Sequence, residues 1–133
     1  MTRRIALAAP LVALVLVLVL APLALARGGG GGGSSSLSLV PNEPPHFGQS
    51  VTFTVSTTAT SRPQVGVTCL QGGNLVYSAS AGFWPGYPWP WEQNFVLRSD
   101  MWTGGAADCT AKLYYWNGRK NVTLKTMSFH VYE

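Results

Sequence analysis

The sequence is poor in charge. Of 133 residues, nine are Lys or Arg and five are Asp or Glu, with only two histidines and two cysteines. Each scarcity bears on function. The five acids, Glu43, Glu92, Asp100, Asp108 and Glu133, stand singly, so the paired carboxylates of glycoside hydrolysis cannot be read from the chain. Asp100 and Asp108 read more simply as a turn aspartate and an exposed strand aspartate. His46 and His130 do not cluster, and Cys69 and Cys109 lack the C-x-x-C spacing of redox and zinc sites. No G-x-S-x-G segment marks an activated serine, and nucleophilic catalysis needs a base held against its nucleophile. The expectation is a chain that is not an enzyme and holds no cofactor or metal. The net charge of +4 includes Arg3 and Arg4, without which seven basic and five acidic residues leave +2. That remainder is too small and scattered to argue for nucleic acid.

The N-terminus is where apolar residues concentrate. "MTRR" gives a positive start, "IALAAPLVALVLVLVLAPL" is continuously apolar, and Ala24-Leu25-Ala26 offers small residues before a cut. That order is the export-signal pattern, so residues 1–26 read as a signal peptide. The apolar run 5–26 also has the roughly 20 residues of a bilayer crossing, so an uncleaved hydrophobic helix anchoring the chain is the alternative. Arg3 and Arg4 stay inside either way. The rest of the chain is then expected outside the cytoplasm, secreted or membrane-anchored. Residues 27–36, "RGGGGGGSSS", form a flexible Gly/Ser-rich linker.

Residues 37–133 are one domain by length, and their dominant signal is period-2 alternation. In "SVTFTVS", Val51, Phe53 and Val55 share a face. Val65, Val67 and Cys69 do so in "QVGVTCLQ", and Phe95 and Leu97 in "EQNFVLR". "AADCTAKLYYW" sets Ala107, Cys109, Ala111, Leu113 and Tyr115 against Asp108, Thr110, Lys112, Tyr114 and Trp116. "GGN" at 72–74 predicts a tight turn into "LVYSAS", and "NGRK" at 117–120 predicts a type I′ hairpin turn. In the last segment, Val122 and Leu124 have one parity and Met127, Phe129 and Val131 the other. One extra residue near Lys125-Thr126, a β-bulge, restores the phase. No segment has a helical period. With the weak strand "SLSLV" at 36–40, about seven short antiparallel strands predict an all-β sandwich.

On "GQSVTFTV", "VGVTCLQ" and "GGAADCTAKLYYWNGRKNVTLKTMSFHVYE", the chain resembles the immunoglobulin-like domains of exported bacterial and phage proteins. The resemblance implies an immunoglobulin-like sandwich over residues 37–133. It departs from antibody domains, because Ala107 stands two residues before Cys109 where they carry tyrosine. Counting strands, Cys69 falls on the third, where they carry a buried tryptophan. Two cysteines in an exported domain of this size pair. A Cys69–Cys109 bond between neighbouring strands, in a directly opposed pair that makes no hydrogen bonds, is expected. The "DCTA" segment after a glycine-rich turn also resembles the secreted antitumour-chromophore apoproteins of actinobacteria, whose second disulfide has no counterpart here. Asn121-Val122-Thr123 matches the glycosylation sequon.

The stretch "GFWPGYPWPWEQNF", residues 82–95, packs five aromatics and three prolines into 83–91. Prolines donate no ladder hydrogen bonds, so 85–90 is expected to be a stiff connector and not a central strand. Two fates are open for its rings. Phe83 and one or two tryptophans can fold back and cap the sandwich. Others among Trp84, Tyr87, Trp89 and Trp91 can remain as a recognition surface, which Trp102, Tyr114 and Trp116 would extend. The expected function is an exported, non-enzymatic binding or adhesion module that contacts an unknown protein or glycan through 83–91. A structural surface-decoration domain, held to the membrane through residues 5–26, and a secreted small-ligand carrier are the alternatives.

Overall fold

The computed structural model describes residues 33–133. The expectations for residues 1–26, signal peptide or anchoring helix, lie outside the described residues. Among the described residues no helix is long and apolar enough to cross a membrane. Within residues 33–133, seven strands form two antiparallel sheets: β1 (Ser35–Val40), β2 (Ser50–Thr57), β3 (Gln64–Gln71), β4 (Asn74–Gly82), β5 (Phe95–Val96), β6 (Ala107–Trp116) and β7 (Asn121–Val131). One sheet runs β1-β2-β5 and the other β4-β3-β6-β7. The described residues are all-β and pack as a sandwich. β1 opens at Ser35, inside the compositional linker.

Alternation decides the strands. In β2, Val51 and Phe53 are buried while Thr54 and Ser56 face out. In β6, Ala107, Cys109, Ala111 and Leu113 are buried against exposed Asp108 and Lys112. β-Branched and aromatic residues suit a pleated, half-buried surface, and a slip of one residue would turn each of these sets to solvent. Gln71 and Asn74 pair across Gly72 and Gly73, whose φ values are +56° and +84°. Two successive positive φ angles make a type I′ turn.

The "NGRK" turn is built differently from expectation. Trp116 pairs with Asn121, so four residues form the loop, and only Gly118 has a positive φ, +95°. The Asn117 side chain carries the turn by accepting the Arg119 and Lys120 N–H groups at 2.9 Å each. An Asx turn of this kind needs no positive φ at the asparagine. The expected bulge in β7 is present one residue earlier. Leu113 pairs with Lys125 and Tyr114 with Thr123, leaving Leu124 as the extra residue. A second bulge leaves Val76 unpaired in β4, where Leu70 faces Leu75 and Cys69 faces Tyr77. It turns both Val76 and Tyr77 inward.

The core fills the space between the sheets. At one end, Phe53 meets Phe95 edge-on at 5.5 Å, and Phe83 stacks on Phe95 at 6.4 Å. At the other, Trp102 lies against Phe47 at 5.4 Å and Tyr77 at 6.1 Å. Trp102 is fully buried, and its Nε1–H donates to the Gly105 carbonyl at 3.0 Å. It belongs to the core and so does not extend the aromatic surface of segment 83–91. Its loop is fastened by Ser99, whose Oγ accepts the N–H groups of Met101 and Trp102 and donates to the Val76 carbonyl. Burial of one Val, Leu or Phe side chain contributes about 1.5–3 kcal/mol.

Candidate functional site

Segment 83–94 carries the chain from β4 in one sheet to β5 in the other. "EQNFVLR" was expected as a strand, but only Phe95–Val96 pair with β2. Pro90–Gln93 form a 3-10 turn in which the Glu92 N–H reaches the Trp89 carbonyl at 2.9 Å. The turn opened by Pro90 takes up Glu92 and Gln93 and so shortens the strand from its N-terminal side. Gln93 pins the turn from both sides. Its Nε2 donates to the Gly82 carbonyl at 2.8 Å, and its own carbonyl accepts Thr52 Oγ1–H at 2.7 Å.

The five rings of this segment divide into three groups. Phe83 enters the core. Trp84-Pro85-Gly86-Tyr87 is a turn closed by Tyr87 N–H to the Trp84 carbonyl at 3.1 Å, with Gly86 at φ +78°. Pro at the second position and a positive-φ Gly at the third make it type II. The turn brings the Trp84 and Tyr87 rings to 4.7 Å, edge to face, and both are half-buried over Gly82. A Cβ on Gly82 would collide with Trp84 Cζ3 and lie 2.5 Å from Tyr87 Cδ2, so the close approach requires glycine here. Trp89 and Trp91, by contrast, are 49% and 64% exposed and tilt against each other at 5.5 Å. Proline on both sides of Trp89 restricts the backbone that carries them.

Tyr114 and Trp116 do not join this pair. Trp116 is 58% exposed at the end of β6, opposite Asn121. Tyr114 is half-buried, and its hydroxyl donates to Gln64 Oε1 at 3.4 Å. Among the described residues, no ring-to-ring contact links Trp89 or Trp91 to either.

The disulfide fixes a second surface. Cys69 and Cys109 are bonded and directly opposed, with Cα atoms 4.0 Å apart. The Phe83 N–H bonds the Pro63 carbonyl, so the odd residues of β3 bond toward β4. Cys69 therefore faces Cys109 in a pair without hydrogen bonds, the closer kind. A disulfide of this sort belongs to a non-reducing environment. With that register set, three transverse rows cross the outer face of the four-stranded sheet. One is Ser78, Thr68, Thr110 and Ser128, a hydroxyl on every strand. The next is Ser80, Gly66, Lys112 and Thr126; the third is Gly82, Gln64, Tyr114 and Thr123. Because Gly66 has no side chain, a depression of about 280 Å³ opens there, lined by Gly66, Thr68, Lys112, Tyr114, Asn121 and Thr123.

Near the chain end on this face, Asp108 and His130 pair across strands, with His130 Nδ1–H donating to Asp108 Oδ1 at 2.7 Å. His130 also meets the Tyr132 ring at 4.7 Å. Alternation leaves Asp108 exposed on its strand but does not reveal its pairing with His130. The hydroxyl rows and the Gly66 depression were missed too, because they exist only once register is known. The Cys69–Cys109 pair is the signal that could have revealed them: counting outward from it aligns Thr68 with Thr110 and Gly66 with Lys112.

No protein-family model matches the chain, and neither a curated protein nor a solved structure matches it.

Proposed function

We propose that this chain is an exported, immunoglobulin-like binding module that holds a protein or glycan partner through Trp89 and Trp91. The observation that carries the reading is the exposure of two adjacent tryptophans on a segment stiffened by three prolines and tied to both sheets. Exposed indole is costly to keep in water, and Trp supplies large contact area for little conformational entropy. A backbone ordered before binding has less freedom to lose on binding. The strand orders support the immunoglobulin-like reading. β1, β2 and β5 correspond to strands A, B and E of that sandwich, and β4, β3, β6 and β7 to C′, C, F and G. The disulfide and the leader-like residues 1–26 support export.

The test is binding of the purified domain to arrayed glycans and surface proteins of its host, beside a Trp89→Ala/Trp91→Ala variant. The expected result is a hit that the double variant loses while its melting temperature stays unchanged. A hit retained by the double variant would overturn the assignment of the site.

A further inference from the structure

We propose that the outer face of the four-stranded sheet carries a second binding site, over Gly66, for an acidic saccharide of the uronic-acid type. The site lies apart from Trp89 and Trp91 and does not depend on their role. Its floor is an absence. Glycine weakens a strand interior and marks a place where something approaches the backbone closely, and Gly66 sits in the middle of β3 with Ser80 on one side and Lys112 on the other. A Cβ there would meet Tyr114 Cε1 at 3.4 Å, so the tyrosine ring borders the vacant space.

The walls are of three kinds. Tyr114 offers an aromatic face against which the apolar face of a pyranose packs. Thr68, Thr123 and Asn121 supply the hydroxyls and amide that exchange hydrogen bonds with sugar hydroxyls. Lys112 supplies a positive charge. A volume of about 280 Å³ is near the lower end of ligand sites, fitting one sugar unit of a longer chain.

Charge selects the class of saccharide. From Cys109 to Tyr132 the chain has Lys112, Arg119, Lys120 and Lys125 and no Asp or Glu. The row through Lys112 is Ser80, Gly66 and Thr126, all neutral. The nearest acid along β6 is Asp108, which is engaged by His130. Among the described residues, none of these four cations is in an ion pair. A neutral sugar would contact Tyr114 and the hydroxyls alone, whereas a carboxylate on the pyranose would add a charge-assisted hydrogen bond from exposed Lys112.

The experiment is calorimetric titration of the purified domain with oligogalacturonate, its fully methyl-esterified counterpart, a single-stranded oligonucleotide and anionic phospholipid vesicles. Oligogalacturonate is expected to bind and its neutral ester to bind at least about tenfold more weakly, with affinity falling as salt rises. Lys112→Gln should weaken oligogalacturonate about tenfold. Gly66→Ala, which fills the floor and meets only ordinary contacts, should weaken it without lowering the melting temperature. Trp89→Ala/Trp91→Ala should leave it unchanged. Equal binding of the ester, equal or tighter binding of the oligonucleotide or vesicles, no binding of oligogalacturonate, or loss only in the tryptophan variant would each overturn the proposal.

Discussion

Trp102 and Trp91 are the same residue in opposite surroundings, and their substitutions should separate stability from surface. Trp102 is fully enclosed by Phe47 and Tyr77, with its indole N–H satisfied. Trp102→Ala should cost about 3–5 kcal/mol in urea denaturation, from lost burial and the cavity left behind. Trp89→Ala/Trp91→Ala, on exposed positions, should stay within about 0.5 kcal/mol per site. Burial likewise pushes the Tyr77 hydroxyl above the ordinary tyrosine value. The unfolded chain then loses that proton at lower pH than the folded one. The contribution is fully present below about pH 10 and is lost as pH rises through the folded value. The stability difference between the native chain and Tyr77→Phe should therefore be constant below about pH 10 and shift toward the variant above it. A constant difference through that range would mean that Tyr77 ionises alike in both states. At Gly82 the expectation is mechanical. Gly82→Ala must drive Trp84 and Tyr87 off the sheet, and tryptophan emission should move to the red as Trp84 becomes wet.

At the scale of elements, the disulfide joins the two middle strands of the larger sheet. It closes a loop with a sequence separation of 40, worth about 4 kcal/mol by loop entropy. Cys69→Ala/Cys109→Ala should lose roughly 2–4 kcal/mol in equilibrium unfolding. A loss below about 0.5 kcal/mol would mean that β3 and β6 hold their register without it. The strands were legible because most bury one face, and alternation records that directly, as in Val51-Thr52-Phe53-Thr54. The bulge in β7 was legible as a phase change but placed one residue late, since exposed Lys125 and Thr126 carry no parity of their own. The Asn117 turn misled because Asn-Gly allows type I′ geometry without requiring it; an asparagine side chain can cap the turn instead. The aromatic segment was only half legible. Its prolines excluded a central strand, but nothing local distinguishes Trp84, drawn back by a type II turn onto Gly82, from Trp89 and Trp91. Trp102 was left open for a related reason: it lies in a loop with no periodicity, and its burial comes from Phe47 and Tyr77, far away in sequence.

At the scale of the molecule, a disulfide-braced sandwich presents two surfaces of unlike chemistry, an apolar tryptophan pair on a proline-stiffened segment and a hydroxyl- and lysine-bearing sheet face. Preceding it in sequence are the Gly/Ser stretch and the apolar run 5–26. Mass spectrometry of unreduced protein from its host is expected to find a species two hydrogens lighter than the reduced chain. Free thiols at Cys69 and Cys109 would contradict the bond. The proposed role of Trp89 and Trp91 is contact with the partner. It is tested most directly by labelling tryptophans with a membrane-impermeant indole reagent and mapping the labels by mass spectrometry, once on purified protein and once on intact host cells. Trp89 and Trp91 are expected to be labelled and Trp102 not in the purified protein, and Trp89 and Trp91 to become protected in the native setting while Trp116 stays reactive. Equal labelling of Trp89 and Trp91 in both settings, or none in the purified protein, would contradict it.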